Sequence, residues 1–246
     1  MGLQRSKVMA QYIYGKNVVS QRLNNGEDIL ELYVENNKHQ NLVNLAKNNK
    51  VRVSFVSKGK LDSLSNKGNH QGLVAKVEAY KFYQLDDIIS DKEFPLIVLL
   101  DGVEDPHNFG AIIRSCEAVG VDGIIILNKR SVTVTGTVIK TSVGAIDQVK
   151  IVEVVNLART IQTLKDKGYW IVGTDFKNSQ DYRKVNYKMP TVLVVGSEGG
   201  GMSRLVRESC DFIAEIPMIG KVNSLNVSVA TAVMLYEIFN QQNPVT

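Results

Sequence analysis

Three apolar runs without polar interruption, residues 96–100 (LIVLL), 123–127 (GIIIL) and 191–196 (TVLVVG), constrain this chain more than any other feature. A strand with one wet face alternates apolar and polar residues. One that does not alternate must be covered on both faces, as in a parallel sheet held between helices. The intervening stretches fit that architecture: 111–119, 157–167 and 203–210 carry helical spacing, while 151–155, 169–173 and 212–216 read as further strands. Repeated βα units of this kind predict an α/β fold with a doubly wound parallel sheet over residues 94–246.

The first third is built on a smaller scale. Segments 18–23, 39–47 and 61–64 read as short helices and 29–34, 51–56 and 72–79 as strands, with turn chemistry at Asn24-Asn25-Gly26 and Lys67-Gly68-Asn69. This predicts a compact α/β module over residues 1–80, joined to the larger domain by an acidic linker at 81–93 that carries Asp86, Asp87, Asp91 and Glu93. Residues 1–80 hold twelve Lys and Arg against six Asp and Glu, whereas the remainder holds seventeen against nineteen, so the basic excess lies entirely in the small module. A polyanion held by that module is the sharp reading; a solvated basic face with no partner is the plain one.

No run of about 18 apolar residues occurs and the first residues lack the apolar stretch of a secretory signal, so the chain reads as cytosolic, with the first ten residues a leader outside the fold. Cys116 and Cys210 lie far apart and read as reduced core residues; His39, His70 and His107 lack ligand spacing, so no metal site is expected. No GxGxxG follows the first apolar strand and no GxxxxGK[ST] occurs, which argues against dinucleotide and P-loop sites.

Ligands of a doubly wound sheet bind outside the carboxyl ends of its strands. Three loops expected there are the chain's densest polar and glycine clusters: DGVEDPHNFGAIIR at 101–114, of which 101–110 reads as loop, GSEGGGMS at 196–203, and IPMIGKVNSLN at 216–226. In the third, Pro217 removes a backbone donor, Gly220 permits a left-handed turn, and Ser224 and Asn226 stand where a helix over 227–239 needs its cap. That helix is apolar around most of its circumference, which predicts either a subunit interface or an ordinary buried C-terminal helix with an ordinary cap. His70-Gln71-Gly72 at a strand entry either contacts RNA or satisfies nearby backbone.

The three loops, in this order, resemble the three motifs of the SpoU/TrmH family of RNA ribose 2'-O-methyltransferases in the knotted SPOUT superfamily. YIYGKNVV, ELYV and HQGLVAKV resemble the RNA-binding domain of the RlmB-type ribosomal RNA enzymes, so the likeness spans the whole chain. It implies a deep trefoil knot, a homodimer, and S-adenosylmethionine bound by backbone groups of the knot loops. By motif position it makes Asn108, Arg114, Glu198, Ser224 and Asn226 the catalytic residues and Gly196, Ile216 and Leu225 the cofactor contacts. Gly200 stands where many relatives carry lysine or another residue.

Methyl transfer to a ribose hydroxyl requires a positioned alcohol and a way to manage its proton. A guanidinium is effectively never deprotonated, so Arg114 is expected to grip the target phosphate and stabilise charge on the ribose oxygen rather than serve as base. Asn108 would hold the hydroxyl or fix Arg114, and Glu198 would orient Arg114 or Asn226. The implied substrate is a guanosine in 23S ribosomal RNA, with no membrane or metal involved. Transfer RNA, another ribosomal nucleotide, and a non-catalytic RNA-binding assembly or resistance factor remain the alternatives.

Overall fold

The computed structural model describes residues 10–26, 29–36, 38–129, 131–221 and 224–245; nine of the ten residues expected as a leader lie outside the described residues. The described residues form two compact units. One runs to Lys81 and includes Val134–Gly144; the other comprises Phe82–Thr133 and the residues from Ala145 onward.

In the first unit, β1 (Ala10–Tyr14), β2 (Glu31–Glu35), β3 (Arg52–Val56) and β4 (Leu73–Glu78) form one sheet in the order β1-β4-β2-β3. Helices α1 (Lys16–Asn24), α2 (Gln40–Asn48) and α3 (Lys58–Leu64) pack around it. The core gathers Ile13, Val19, Leu23, Leu32, Val34, Val43 and Val77, all removed from solvent. Strand β1 was not expected from the sequence, because its alternation is a single buried Ile13 between half-buried Tyr12 and Tyr14. Val134–Gly144 joins this unit through a short helix, α5 (Gly136–Ser142): Tyr14 OH meets Thr137 Oγ1 at 2.9 Å and Lys140 Nζ donates to the Asn69 carbonyl at 3.1 Å.

The His70 turn follows the plain reading. His70 is 6% exposed; its Nδ1 accepts the Gly72 N–H at 2.9 Å and its Nε2 lies 3.1 Å from Asp62 Oδ1. A backbone N–H can only donate, so the ring proton sits on Nε2 and points to the carboxylate. The Gln71 side chain accepts the Lys16 N–H at 3.0 Å at the start of α1.

The second unit is a seven-stranded, wholly parallel sheet with the order β7-β6-β5-β10-β8-β11-β9. These are β5 (Leu96–Asp101), β6 (Gly123–Leu127), β7 (Ile151–Val154), β8 (Trp170–Thr174), β9 (Gln180–Asp181), β10 (Thr191–Gly196) and β11 (Phe212–Glu215). Every residue of β5 and β10 is buried, as uninterrupted apolar runs require. Helices α4 (Pro106–Ala118), α6 (Leu157–Asp166), α7 (Arg204–Glu208) and α8 (Val227–Gln242) complete the unit.

Residues 82–93, expected as a linker, are built into this unit. Ile88 is 1% exposed in the same cluster as Ile97, Leu99 and Ile125, Tyr83 bridges to Val152, and the Ser90 N–H donates to Tyr169 OH at 3.4 Å. Burying the Ile88 side chain, worth about 1.5–3 kcal/mol, outweighs the acidic character that the stretch shows in sequence.

Helix α4 starts five residues earlier than expected. Asp105 Oδ1 accepts the Asn108 N–H at 2.8 Å and Pro106 occupies the first helical position, so Asn108 sits in the first turn of a helix instead of a loop. Its buried Phe109, Ile112, Ile113 and Cys116 share an interface with α8, which buries Val227, Thr231, Met234, Leu235 and Ile238. The opposite side of α8 leaves Val229 48% and Tyr236 50% exposed, so the chain alone does not cover its full circumference.

Cys116 and Cys210 are both free thiols, and burial pushes the Cys210 thiol up to about 12 and Cys116 in the same direction. Among the described residues no helix is long and apolar enough to cross a membrane, and no group of three His, Cys, Asp or Glu is arranged to hold a metal ion.

Candidate active site

Strands β5 and β10 are neighbours whose chain connections leave in opposite directions, which makes their carboxyl ends the switch point of the sheet. There Asp101 stands in register with Gly196. Asp101 is 7% exposed and its Oδ2 accepts the Ser203 N–H at 2.6 Å, tying the far end of the glycine loop to the end of β5. The loop closes on itself: Ser197 and Gly201 exchange backbone hydrogen bonds of 3.0 Å in both directions. A Cβ on Gly196 would lie 2.3 Å from the Gly201 carbonyl carbon, so this position excludes every side chain. Gly201, at φ 63, makes the left-handed turn that brings the two ends together.

At the tip of that loop Glu198 reaches the start of α8. Its Oε1 accepts from Asn226 Nδ2 at 2.6 Å and from the Val227 N–H at 3.1 Å. A carboxylate at the N-terminus of a sixteen-residue helix is favourably placed against the helix dipole. Asn226 is the N-cap of α8, its Oδ1 accepting the Ser228 N–H at 3.0 Å and the Ser228 hydroxyl at 2.6 Å. Its Nδ2 also donates to Asn108 Oδ1 at 3.0 Å. Three residues separated by 90 and 28 positions in the chain, one from each sequence loop, therefore meet through one amide.

The remaining expected residues stand outside this network. Arg114 is exposed on α4 and Ser224 is exposed two residues before the Asn226 cap; neither has a hydrogen-bond or ion-pair partner among the described residues. Of the two partners open to Glu198, the geometry selects Asn226. Gly196 is the buried last residue of β10, Ile216 is half-buried directly after β11, and Leu225 is half-buried just before α8. Asp101 and Ser228 were not foreseen. Asp101 closes an apolar strand and reads as its polar terminus, and Ser228 lies inside a helix expected to be apolar around most of its circumference. The Asp105-Pro106 pair is the signal that would have placed Asn108 on a helix.

Comparisons with known proteins agree across the chain. A family model described as the SpoU rRNA Methylase family matches residues 95–236, and a second, for RNA 2'-O ribose methyltransferase substrate binding, matches residues 12–83. A Staphylococcus saprophyticus protein named for the TrmH family of tRNA/rRNA methyltransferases is 45% identical over 239 residues, 94% of this chain and 96% of the relative. A Bacillus subtilis protein, YacO, named for the same family, is 43% identical over 242 residues, 95% and 97% of the two chains. Among solved structures, the SpoU methyltransferase AviRb from Streptomyces viridochromogenes, in complex with AdoMet, superposes with a TM-score of 0.78 at 26% identity, covering 95% of this chain and 90% of its own. An AdoMet-bound rRNA methyltransferase from Sinorhizobium meliloti gives 0.77 at 26% identity, covering 96% and 88%.

Proposed function

The chain belongs to the SpoU rRNA Methylase family, and from that premise we propose that this RNA methyltransferase methylates the ribose 2'-hydroxyl of a guanosine in 23S ribosomal RNA, with S-adenosylmethionine as donor. The observation that carries the reading is the amide of Asn226, which gathers Asn108 and Glu198 at the switch point of the sheet. The ligand end of a parallel sheet is where a bound donor and its acceptor would meet such a polar assembly.

Gly196, Ile216 and Leu225 would hold the cofactor. The fit rests on apolar Ile216, Met218, Ile219 and Leu225, half-buried or exposed between the carboxyl end of β11 and the start of α8, surfaces that suit a nucleoside carrying no phosphate. Bound there, S-adenosylmethionine supplies an activated methyl group. The chain's own task is to hold the acceptor. Arg114, a permanent cation with a planar fork of donors, grips the target phosphate and stabilises negative charge on the ribose oxygen. Asn108, six residues earlier on the same helix, offers a second donor; Glu198 and Asn226 keep it in place. Ser224 faces the substrate from the chain entering α8.

Residues 1–80 dock the RNA with their basic excess, the residues after β11 thread the knot implied by the family resemblance, and the exposed Val229 and Tyr236 of α8 lie in a homodimer interface. The enzyme works in the cytoplasm and needs no metal. A second reading, transfer RNA as substrate, is favoured by the relatives' names, which carry both RNA classes.

Two measurements decide. Tritiated methyl transfer to undermodified total RNA should label ribose; no incorporation by a chain that binds the cofactor in calorimetry would favour a non-catalytic RNA-binding factor. Ribose-methylation mapping in cells lacking the protein should reveal one lost 2'-O-methylguanosine in 23S RNA. A loss confined to transfer RNA would move the substrate to the second reading.

A further inference from the structure

The hydrogen bonds around Asn226 determine which way two amides face, and through them which atoms meet the substrate. The Ser228 backbone N–H can only donate, so the Asn226 atom 3.0 Å from it is the carbonyl oxygen, Oδ1. An ionised Glu198 carboxylate can only accept, so the Asn226 atom 2.6 Å from it is Nδ2. Both constraints agree, and the Ser228 hydroxyl adds a second donor to Oδ1 at 2.6 Å. The second hydrogen of Nδ2 then goes to Asn108, whose facing atom must be an acceptor, Oδ1, at 3.0 Å.

Two consequences follow. Asn226 has spent both donors and both acceptor sites of its amide within the protein, which leaves it nothing to offer a substrate. Asn108 has spent only its oxygen. Its NH2 group has no acceptor among the described residues, the residue is only half-buried, and its backbone N–H is held by the Asp105 cap in the first turn of α4, which leaves that group free for a ligand.

We propose that Ser228 is a positioning residue: acting through Asn226, it turns the Asn108 amide so that its NH2 group, and not its oxygen, donates to an oxygen of the RNA substrate. This rests on the methyltransferase reading above. It assigns to Asn226 the work of orientation and to Asn108 the contact. A donor at that place complements the phosphate oxygens of RNA, which only accept, whereas an outward carbonyl would repel them.

The test uses the full chain with undermodified ribosomal RNA. Ser228→Ala removes the hydroxyl but keeps the backbone donor, and loss of one such hydrogen bond should lower kcat by about 5- to 10-fold. The KM for S-adenosylmethionine and the melting temperature should stay near wild type, and Ser228→Thr should restore the rate. In parallel, side-chain amide resonances of the 15N-asparagine-labelled protein should show the Asn226 pair slow to exchange with water. The Asn108 pair should exchange fast and become protected and shifted when RNA is added. Wild-type kcat in a folded Ser228→Ala variant, or an Asn108 pair unmoved by saturating RNA, overturns the proposal. Wild-type protein that methylates no RNA overturns the methyltransferase reading instead, so the two failures are distinguishable.

Discussion

The turn at His70 and the clamp at Asn226 are made from the same materials: a side chain with both donors and acceptors, a carboxylate, and backbone N–H groups at the edge of a regular element. They differ in what remains unspent. At His70 the imidazole bonds on both sides, to Gly72 and Asp62, and the residue is 6% exposed, so the group closes a turn and presents nothing. At Asn226 the bonding is equally complete at the centre, but it ends on a group with hydrogen-bonding capacity left over, the NH2 of Asn108. A saturated polar cluster with no outlet is structure; one that terminates in oriented, unspent donors is machinery.

That contrast can be broken by substitution. Arg114→Lys should cost the most, about 100- to 1,000-fold in kcat/KM for RNA, because a point charge replaces the bidentate fork; near-normal methylation by this variant would remove Arg114 from the site. Gly196→Ala should come next. A Cβ 2.3 Å from the Gly201 carbonyl carbon must displace the loop that carries Glu198, and a misplacement on the order of 1 Å costs roughly 100-fold in rate. Cofactor binding, read by calorimetry, should weaken with it.

On the other side of the comparison the expected effects are on stability alone. His70→Ala leaves the Asp62 carboxylate and the Gly72 N–H without their partner and should lower stability by about 1–3 kcal/mol in denaturant unfolding. Its kcat per folded molecule should equal wild type; a specific loss of RNA affinity would return His70 to the functional residues. Gln71→Ala should have the smallest effect, about 0.5–1 kcal/mol, since it removes only an acceptor at the start of α1.

Much of this was legible before any coordinates. Uninterrupted apolar runs such as LIVLL and TVLVVG have one common solution, a sheet covered on both faces, and both strands are buried along their whole length. The loop clusters at 101–114, 196–203 and 216–226 were legible as well, because glycine, proline and cap residues write their backbone needs locally. The short elements were not. Strand β1 and helix α5 carry too few residues for a period to emerge, and 82–93 looked like a linker because its charges outnumber Ile88, whose burial depends on a distant sheet.

Sequence alone therefore determined the class of the fold, the order of most of its strands along the chain and the residues from which a site had to be chosen, since all of these follow from local pattern and backbone preference. Only the tertiary structure decided that Glu198 bonds Asn226 instead of Arg114, that Asn108 rides on a helix, and that Ser228 belongs to the assembly. Hydrogen bonds form between whichever groups the packing of β5 beside β10, and of α4 against α8, brings within 3 Å, and no local rule encodes that distance.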